Sequence, residues 1–239
     1  MNVTEVTSTP INAHYAVVDS WQGKFLLNRH DVCSVGSLID SEKEIRRLLT
    51  FVRGNVVDIG ANVGSHTLAF ARYAEHVFAF EPQPATYFSL CANLLINIVN
   101  NVTPVNIALG NRIGTATMHH IDPRFPHASA GEGVGFGELA VSIRTLDSLN
   151  LPNISFIKID VEHSELEVLL GAVETLEKYH PTVYVEIHET DIIQPICALM
   201  ESLHYMTHEF IYIKIAYPEG EERDPSHLMG YLFEVPADG

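Results

Sequence analysis

The chain has 239 residues, with 14 Lys and Arg against 30 Asp and Glu, for a formal charge of −16. Up to residue 120 there are 8 basic and 9 acidic residues (8 − 9 = −1), and beyond it 6 and 21 (6 − 21 = −15), so the acidity lies in the C-terminal half. Such a surface repels phosphate backbones and anionic lipid, whose binding needs Lys and Arg to displace counterions, and neither nucleic acid nor a polybasic membrane contact is expected.

Hydrophobic residues make up 46% of the chain and charged residues 18%, a globular composition with length enough for one large core. The first twenty residues lack a basic segment followed by an apolar run, and no apolar stretch approaches the roughly 18 residues of a membrane span. Cys33, Cys91 and Cys197 are scattered and form no CxxC. They read as buried thiols in a reducing compartment, which places the protein in the cytoplasm.

Residues 1–40 read as a lead-in with a small hairpin around Trp21–Leu27, and 41–239 as the main domain. Ser41 through Leu49 has the spacing of a helix whose Ser41 and Glu44 would form a capping box. From residue 55 short β-branched runs alternate with amphipathic helices, the pattern of a parallel sheet. Strands are expected at Asn55–Ile59, His76–Phe80, Val102–Ala108, Ile154–Ile159 and Thr182–Ile187. Helices are expected at Ser65–Ala74, Pro84–Asn97, after Asp160 as one run through Leu176, and Ile192–Leu203. Tyr87, Leu90, Cys91, Leu94 and Leu95 fall on one helical face, which makes Cys91 a packed core thiol. The regularity fails between 119 and 140, rich in Gly, Pro and His, and this stretch reads as a substrate-side flap, with a solvated insertion as the alternative. Apolar segments near Phe210–Ile215 and His227–Val235 would close the sheet as an antiparallel pair.

The segment Asp58-Ile-Gly-Ala-Asn-Val-Gly64 lies at a strand-to-helix turn, where glycines let backbone approach a ligand. It lacks the middle glycine of GxGxxG and sets an acid before the turn, which favours a ligand carrying an amine or hydroxyls over a pyrophosphate. S-adenosylmethionine offers both and a positive sulfonium. Glu81 ends the second strand, 81 − 58 = 23 residues after Asp58, close to the roughly 20-residue offset at which an acid binds ribose hydroxyls.

Taken in order, Asp58–Gly64, Phe80-Glu-Pro82, Ala108-Leu-Gly110 with Gly114, Thr145-Leu-Asp147, and Ile157-Lys-Ile-Asp-Val-Glu162 with Glu165 and Gly171 resemble the FkbM-type S-adenosylmethionine-dependent methyltransferases over roughly residues 42–190. The resemblance implies a Rossmann-like α/β fold, with a mostly parallel seven-stranded sheet, an antiparallel final strand and helices on both faces. It implies methyl transfer to a hydroxyl of a sugar, glycan or secondary metabolite. Asp58, Gly60, Asn62 and Gly64 would then line the methionine side, Glu81 would hold the ribose, and Ala108 would lie near the adenine. One position departs from the family pattern: His163 stands where glycine is usual.

Asp160 ends a central strand, where open α/β sheets bind ligands, and Glu162 and His163 share its turn. The neighbouring strand ends in Glu186-Ile-His188-Glu189. Transfer to a hydroxyl needs an aligned acceptor and a group to remove its proton. Asp160, His163, Glu186 and His188 are the catalytic candidates, with a histidine as base near neutral pH. Asp160, Glu186 and His188 could instead hold Mg²⁺, although no compact ligand spacing demands a metal. A non-catalytic S-adenosylmethionine-binding domain and a nicotinamide-dependent oxidoreductase are the competing readings.

Overall fold

The computed structural model describes residues 7–12, 14–29, 38, 41–119, 138–161, 163–187, 190–210 and 229–236. An antiparallel sheet of β1 (Thr7–Pro10), β2 (Tyr15–Asp19) and β3 (Lys24–Asn28) precedes helix α1 (Glu42–Leu48). There follow β4 (Asn55–Ile59), α2 (Ser65–Phe70), β5 (His76–Phe80), α3 (Pro84–Ile96), β6 (Val102–Val105), β7 (Ala108–Leu109), β8 (Gly114–His119) and β9 (Glu138–Arg144). The chain continues through β10 (Ile154–Ile159), α4 (Glu165–Leu170), α5 (Val173–Tyr179), β11 (Thr182–Ile187), α6 (Ile193–Ser202), β12 (Met206–Phe210) and β13 (Met229–Glu234).

Seven strands form the main sheet in the order β12-β13-β11-β10-β4-β5-β6. Its interior pairs are parallel, and β13 runs antiparallel between β11 and β12. Side chains alternate between the two faces, and both faces are apolar because helices cover both. Ile157, Ile159, Val183, Val185 and Ile187 pack with Val168, Leu169, Leu176, Ile196 and Met200 on the α4–α6 face. Val56, Phe156, Tyr184 and Leu232 pack with Leu48 and Phe70 on the α1–α2 face. The strand order reverses between β4 and β10, so their crossovers leave on opposite sides and open a crevice at their C-terminal ends.

Four central strands occupy the expected residues, and the departures have local causes. The expected strand Val102–Ala108 breaks after Val105, where Asn106 Nδ2 donates to the carbonyls of Glu81 (2.8 Å) and Pro82 (3.0 Å) and the chain turns into a second sheet, β7-β9-β8. The single helix expected through Leu176 is two. A Cβ on Gly171 would overlap the Gly110 carbonyl oxygen, and Asp147 Oδ1 accepts from the Thr175 amide (2.8 Å) and hydroxyl (2.7 Å), capping α5 as a new helix. The Ser41–Glu44 capping box does not form: the Ser41 side chain makes no cap hydrogen bond, and Glu44 is buried instead.

Helix α3 is rotated from its expected face. Leu90 and Leu94 are buried, but Leu95 is exposed and Cys91 only half-buried, because Asn93 and Asn97 face the N-terminal hairpin. Asn93 accepts from the Leu26 amide (2.6 Å) and donates to the Val63 carbonyl (2.9 Å), while Asn97 both accepts from and donates to the backbone of Lys24 (2.9 and 2.7 Å). The segment expected at Phe210–Ile215 starts earlier, as β12; residues 211–228, like 120–137 of the expected flap, lie outside the described residues. Among the described residues no helix is long and apolar enough to cross a membrane.

Candidate active site

The crevice is built on two turns that touch. Gly60, at φ +77°, has no room for a Cβ: one would overlap the carbonyl oxygen of Asp160 in the turn after β10. Gly64, at φ +95°, caps α2 and lies against Leu90 of α3. Both glycines meet the two demands that only glycine satisfies, a left-handed backbone and close approach.

Four amides of this turn are used inside the protein. Gly60 and Ala61 donate to the Phe80 carbonyl at 3.0 and 2.9 Å, Asn62 donates to Glu81 Oε2 at 3.0 Å, and Gly64 donates to the Ala61 carbonyl at 2.9 Å. A pyrophosphate loop needs such groups aimed at the ligand, which argues against the nicotinamide reading. Asn62 holds φ +50°, and its Oδ1 is buried with no hydrogen-bond partner among the described residues, an acceptor suited to a ligand amine.

Asp58 is fully buried beneath the turn. Its Oδ2 accepts from Thr67 Oγ1 at 2.5 Å, and its Oδ1 lies 3.5 Å from Lys158 Nζ, so it braces the turn from behind. Glu81 accepts from the amides of Asn62 and Gln83 (2.9 Å). Burial pushes its carboxyl up to about 7, against the lowering effect of those two amides and of Lys158. A carboxylate has about four lone-pair positions, so two remain for ligand hydroxyls.

A cavity of about 500 Å³ opens between this turn and the small β7-β9-β8 sheet, within the roughly 300–1,000 Å³ usual for small-molecule sites. Gly60 and Ala108 line it, with Phe80, Pro82, Ile107 and Val161 supplying apolar walls. That combination suits a flat heteroaromatic ring.

The described acceptor candidates sit at the strand ends and are not among the residues that line this cavity. The register that pairs Ile159 with Val185 sets Asp160 and Glu186 next to each other at the strand ends. Glu186 is buried, and its carboxyl is pushed well above the ordinary range by burial first and then by Asp160 and Glu44, against the lowering effect of Lys158. His163 is exposed with φ +71°, the left-handed region that explains why glycine is usual there. Glu162, His188 and Glu189 lie outside the described residues. Among the described residues no three His, Cys, Asp or Glu side chains converge as metal ligands.

Three residues at this edge escape sequence reasoning. Lys158 is 1% exposed, with Nζ 3.1 Å from both Asp160 Oδ2 and the Gly60 carbonyl. Burial pushes its pKa down, but Asp160, Asp58 and Glu186 outweigh that and hold it charged. Glu44 and His66 are buried on α1 and α2, with Glu44 Oε1 3.7 Å from His66 Nε2. Strand parity offers a signal for Lys158 alone, since it shares a face with Phe156 and Asp160.

The sheet order, the tight glycine turn and the acid ending the second strand fit an S-adenosylmethionine-dependent methyltransferase. Residues 58–210 match the family model of the methyltransferase FkbM domain, and the chain belongs to that family. It is 30% identical over 182 residues to the hexuronic acid methyltransferase AglP of Haloferax volcanii, covering 72% of this chain and 73% of that one. The crystal structure of methyltransferase FkbM from Methylobacillus flagellatus KT superposes with a TM-score of 0.55 at 19% identity, over 74% of this chain and 43% of that one, so this chain spans less than half of its length. M. jannaschii TYW2 in complex with AdoMet superposes with a TM-score of 0.53 at 17% identity, over 99% of this chain and 90% of that one.

Proposed function

We propose that the chain methylates a hydroxyl of a sugar, glycan or similarly hydroxylated metabolite. S-adenosylmethionine, when bound, supplies a methyl carbon made electrophilic by its sulfonium. In this reading Glu81 accepts the ribose hydroxyls, Asn62 Oδ1 accepts from the amino group, and the walls around Ala108 enclose the adenine. Asp58, Gly60 and Gly64 shape the turn that presents these groups. Residues 41–239 carry the transferase, and 1–40 add the hairpin that packs on α3.

The observation that carries the acceptor assignment is the pair Asp160 and Glu186: a half-buried carboxyl and a buried one stand side by side at neighbouring strand ends, where both can hydrogen-bond one hydroxyl. His163, on the rim of the same turn, takes the proton toward solvent, and His188 remains a second candidate for that role. Of the residues that could hold Mg²⁺, Asp160 already pairs with Lys158, and this reading needs no metal. The likeness to a hexuronic acid methyltransferase supports a sugar acceptor. The charge of −16 favours a neutral sugar over an RNA.

The test is transfer of labelled methyl from S-adenosylmethionine to a panel of neutral glycans, hexuronate-bearing glycans and RNA. Alkali-stable label on sugar, a methyl ether, is the expected result. Alkali-labile label would move the reaction to a carboxylate, and label on RNA alone would overturn the acceptor class.

A further inference from the structure

We infer that Lys158 is the positioning residue that locks the turn after β4 to the turn after β10, and so holds the cofactor side of the site in register with its acceptor side. The naming of the two sides rests on the transfer reading above; the clamp itself rests on geometry.

An ammonium has three N–H donors. Around Lys158 Nζ stand the Gly60 carbonyl at 3.1 Å, Asp160 Oδ2 at 3.1 Å and Asp58 Oδ1 at 3.5 Å. The partners come from two crossovers: Asp58 and Gly60 belong to the end of β4, and Asp160 to the end of β10. Sheet hydrogen bonding reaches the second turn through the Asp160 amide, which donates to the Ile59 carbonyl at 3.0 Å. Past that point the ammonium adds a charged side-chain link to the backbone contact between Gly60 and Asp160.

Each group held by Lys158 also orients something that faces the site. Asp58 is fixed from its other oxygen by Thr67 on α2, and the Gly60 carbonyl belongs to the turn that aims Asn62. Asp160 stands beside Glu186. A neutral side chain at 158 would leave two acids facing each other at the base of the crevice with their shared counter-charge gone, an arrangement that either loosens the turns or takes up a proton. Arginine keeps the charge but replaces a compact point donor with a planar fork, so it can restore only part of the geometry.

Amide hydrogen exchange on the ligand-free chain tests the clamp directly, with S-adenosylhomocysteine calorimetry below the unfolding temperature as a second readout. In Lys158→Met, exchange at Gly60, Ala61 and Asn62 should rise about tenfold or more relative to the β2–β3 hairpin, and ligand affinity should fall by about tenfold or more, the scale of a lost charged hydrogen bond. Lys158→Arg should recover part of both. Asp160→Asn, which changes only the far turn, should also speed exchange at Gly60–Asn62. That transmitted effect decides the matter if Lys158→Met does not fold. A folded Lys158→Met with wild-type exchange and affinity, or an Asp160→Asn silent at Gly60–Asn62, would overturn the clamp. Failure of the wild-type chain to bind S-adenosylhomocysteine would instead count against the transfer reading, leaving the exchange data to judge Lys158.

Discussion

A methyl group on Gly60 would overlap the backbone carbonyl oxygen of Asp160. The cofactor turn and the acceptor turn are therefore in direct backbone contact at this point, beside the Lys158 bridge. Gly60→Ala adds the left-handed penalty of roughly 1–2 kcal/mol to an overpacking cost of roughly 1–3 kcal/mol, so a loss of about 3 kcal/mol is expected in urea unfolding. Separation of the turns should also abolish S-adenosylhomocysteine binding. Wild-type stability in this variant would mean that the turns do not touch in solution.

Glu81 gives the stability a pH dependence. Its folded pKa of about 7 lies above the ordinary value of 4.5, so the folded state binds the extra proton. That contribution is fully present below about pH 4.5 and is lost as the pH rises toward 7, about 3 kcal/mol for a shift of this size. Unfolding measured from pH 4.5 to 8 should lose the slope in this window when Glu81 is replaced by Gln. Cofactor affinity should rise across the same window, because the ionised carboxylate is the better acceptor for hydroxyls.

His163→Gly should move stability and turnover in opposite directions. Relief of a left-handed non-glycine residue should raise stability by about 1 kcal/mol. Loss of the imidazole should lower kcat by about 10²-fold, the lower range for general base catalysis. A gain in stability with unchanged kcat would assign His163 to loop shape alone and leave the proton to another group.

The N-terminal hairpin should depend on Asn93. Asn93→Ala removes the bond accepted from the Leu26 amide and the one donated to the Val63 carbonyl, leaving both backbone groups without that partner. A cost of about 2 kcal/mol is expected, with faster exchange at Leu26 as the local signature. Unchanged exchange there would show that the hairpin is held by apolar packing of Phe25 and Leu27.

The central strands were legible because Asn55–Ile59, His76–Phe80, Ile154–Ile159 and Thr182–Ile187 are short apolar runs bounded by turn residues. Gly60, Gly64 and Glu81 were legible because turn geometry and strand-end spacing leave marks in the sequence. The break at Gly171 was not, since the apolar spacing from Leu166 to Leu176 continues through it and the cap comes from Asp147, distant in sequence. Lys158 was hidden for a similar reason: a lysine inside an apolar strand reads as an edge residue until its partners on two other turns are seen. Glu44 looked like a local cap because its neighbour His66 belongs to another helix.

The central claim is that this turn holds S-adenosylmethionine and not a pyrophosphate cofactor. Calorimetric titration of the chain with S-adenosylhomocysteine and, separately, with NAD tests it most directly. One-to-one binding of S-adenosylhomocysteine that Glu81→Ala weakens at least about tenfold, with no heat from NAD, is the predicted result. Tight NAD binding with no response to S-adenosylhomocysteine would contradict it.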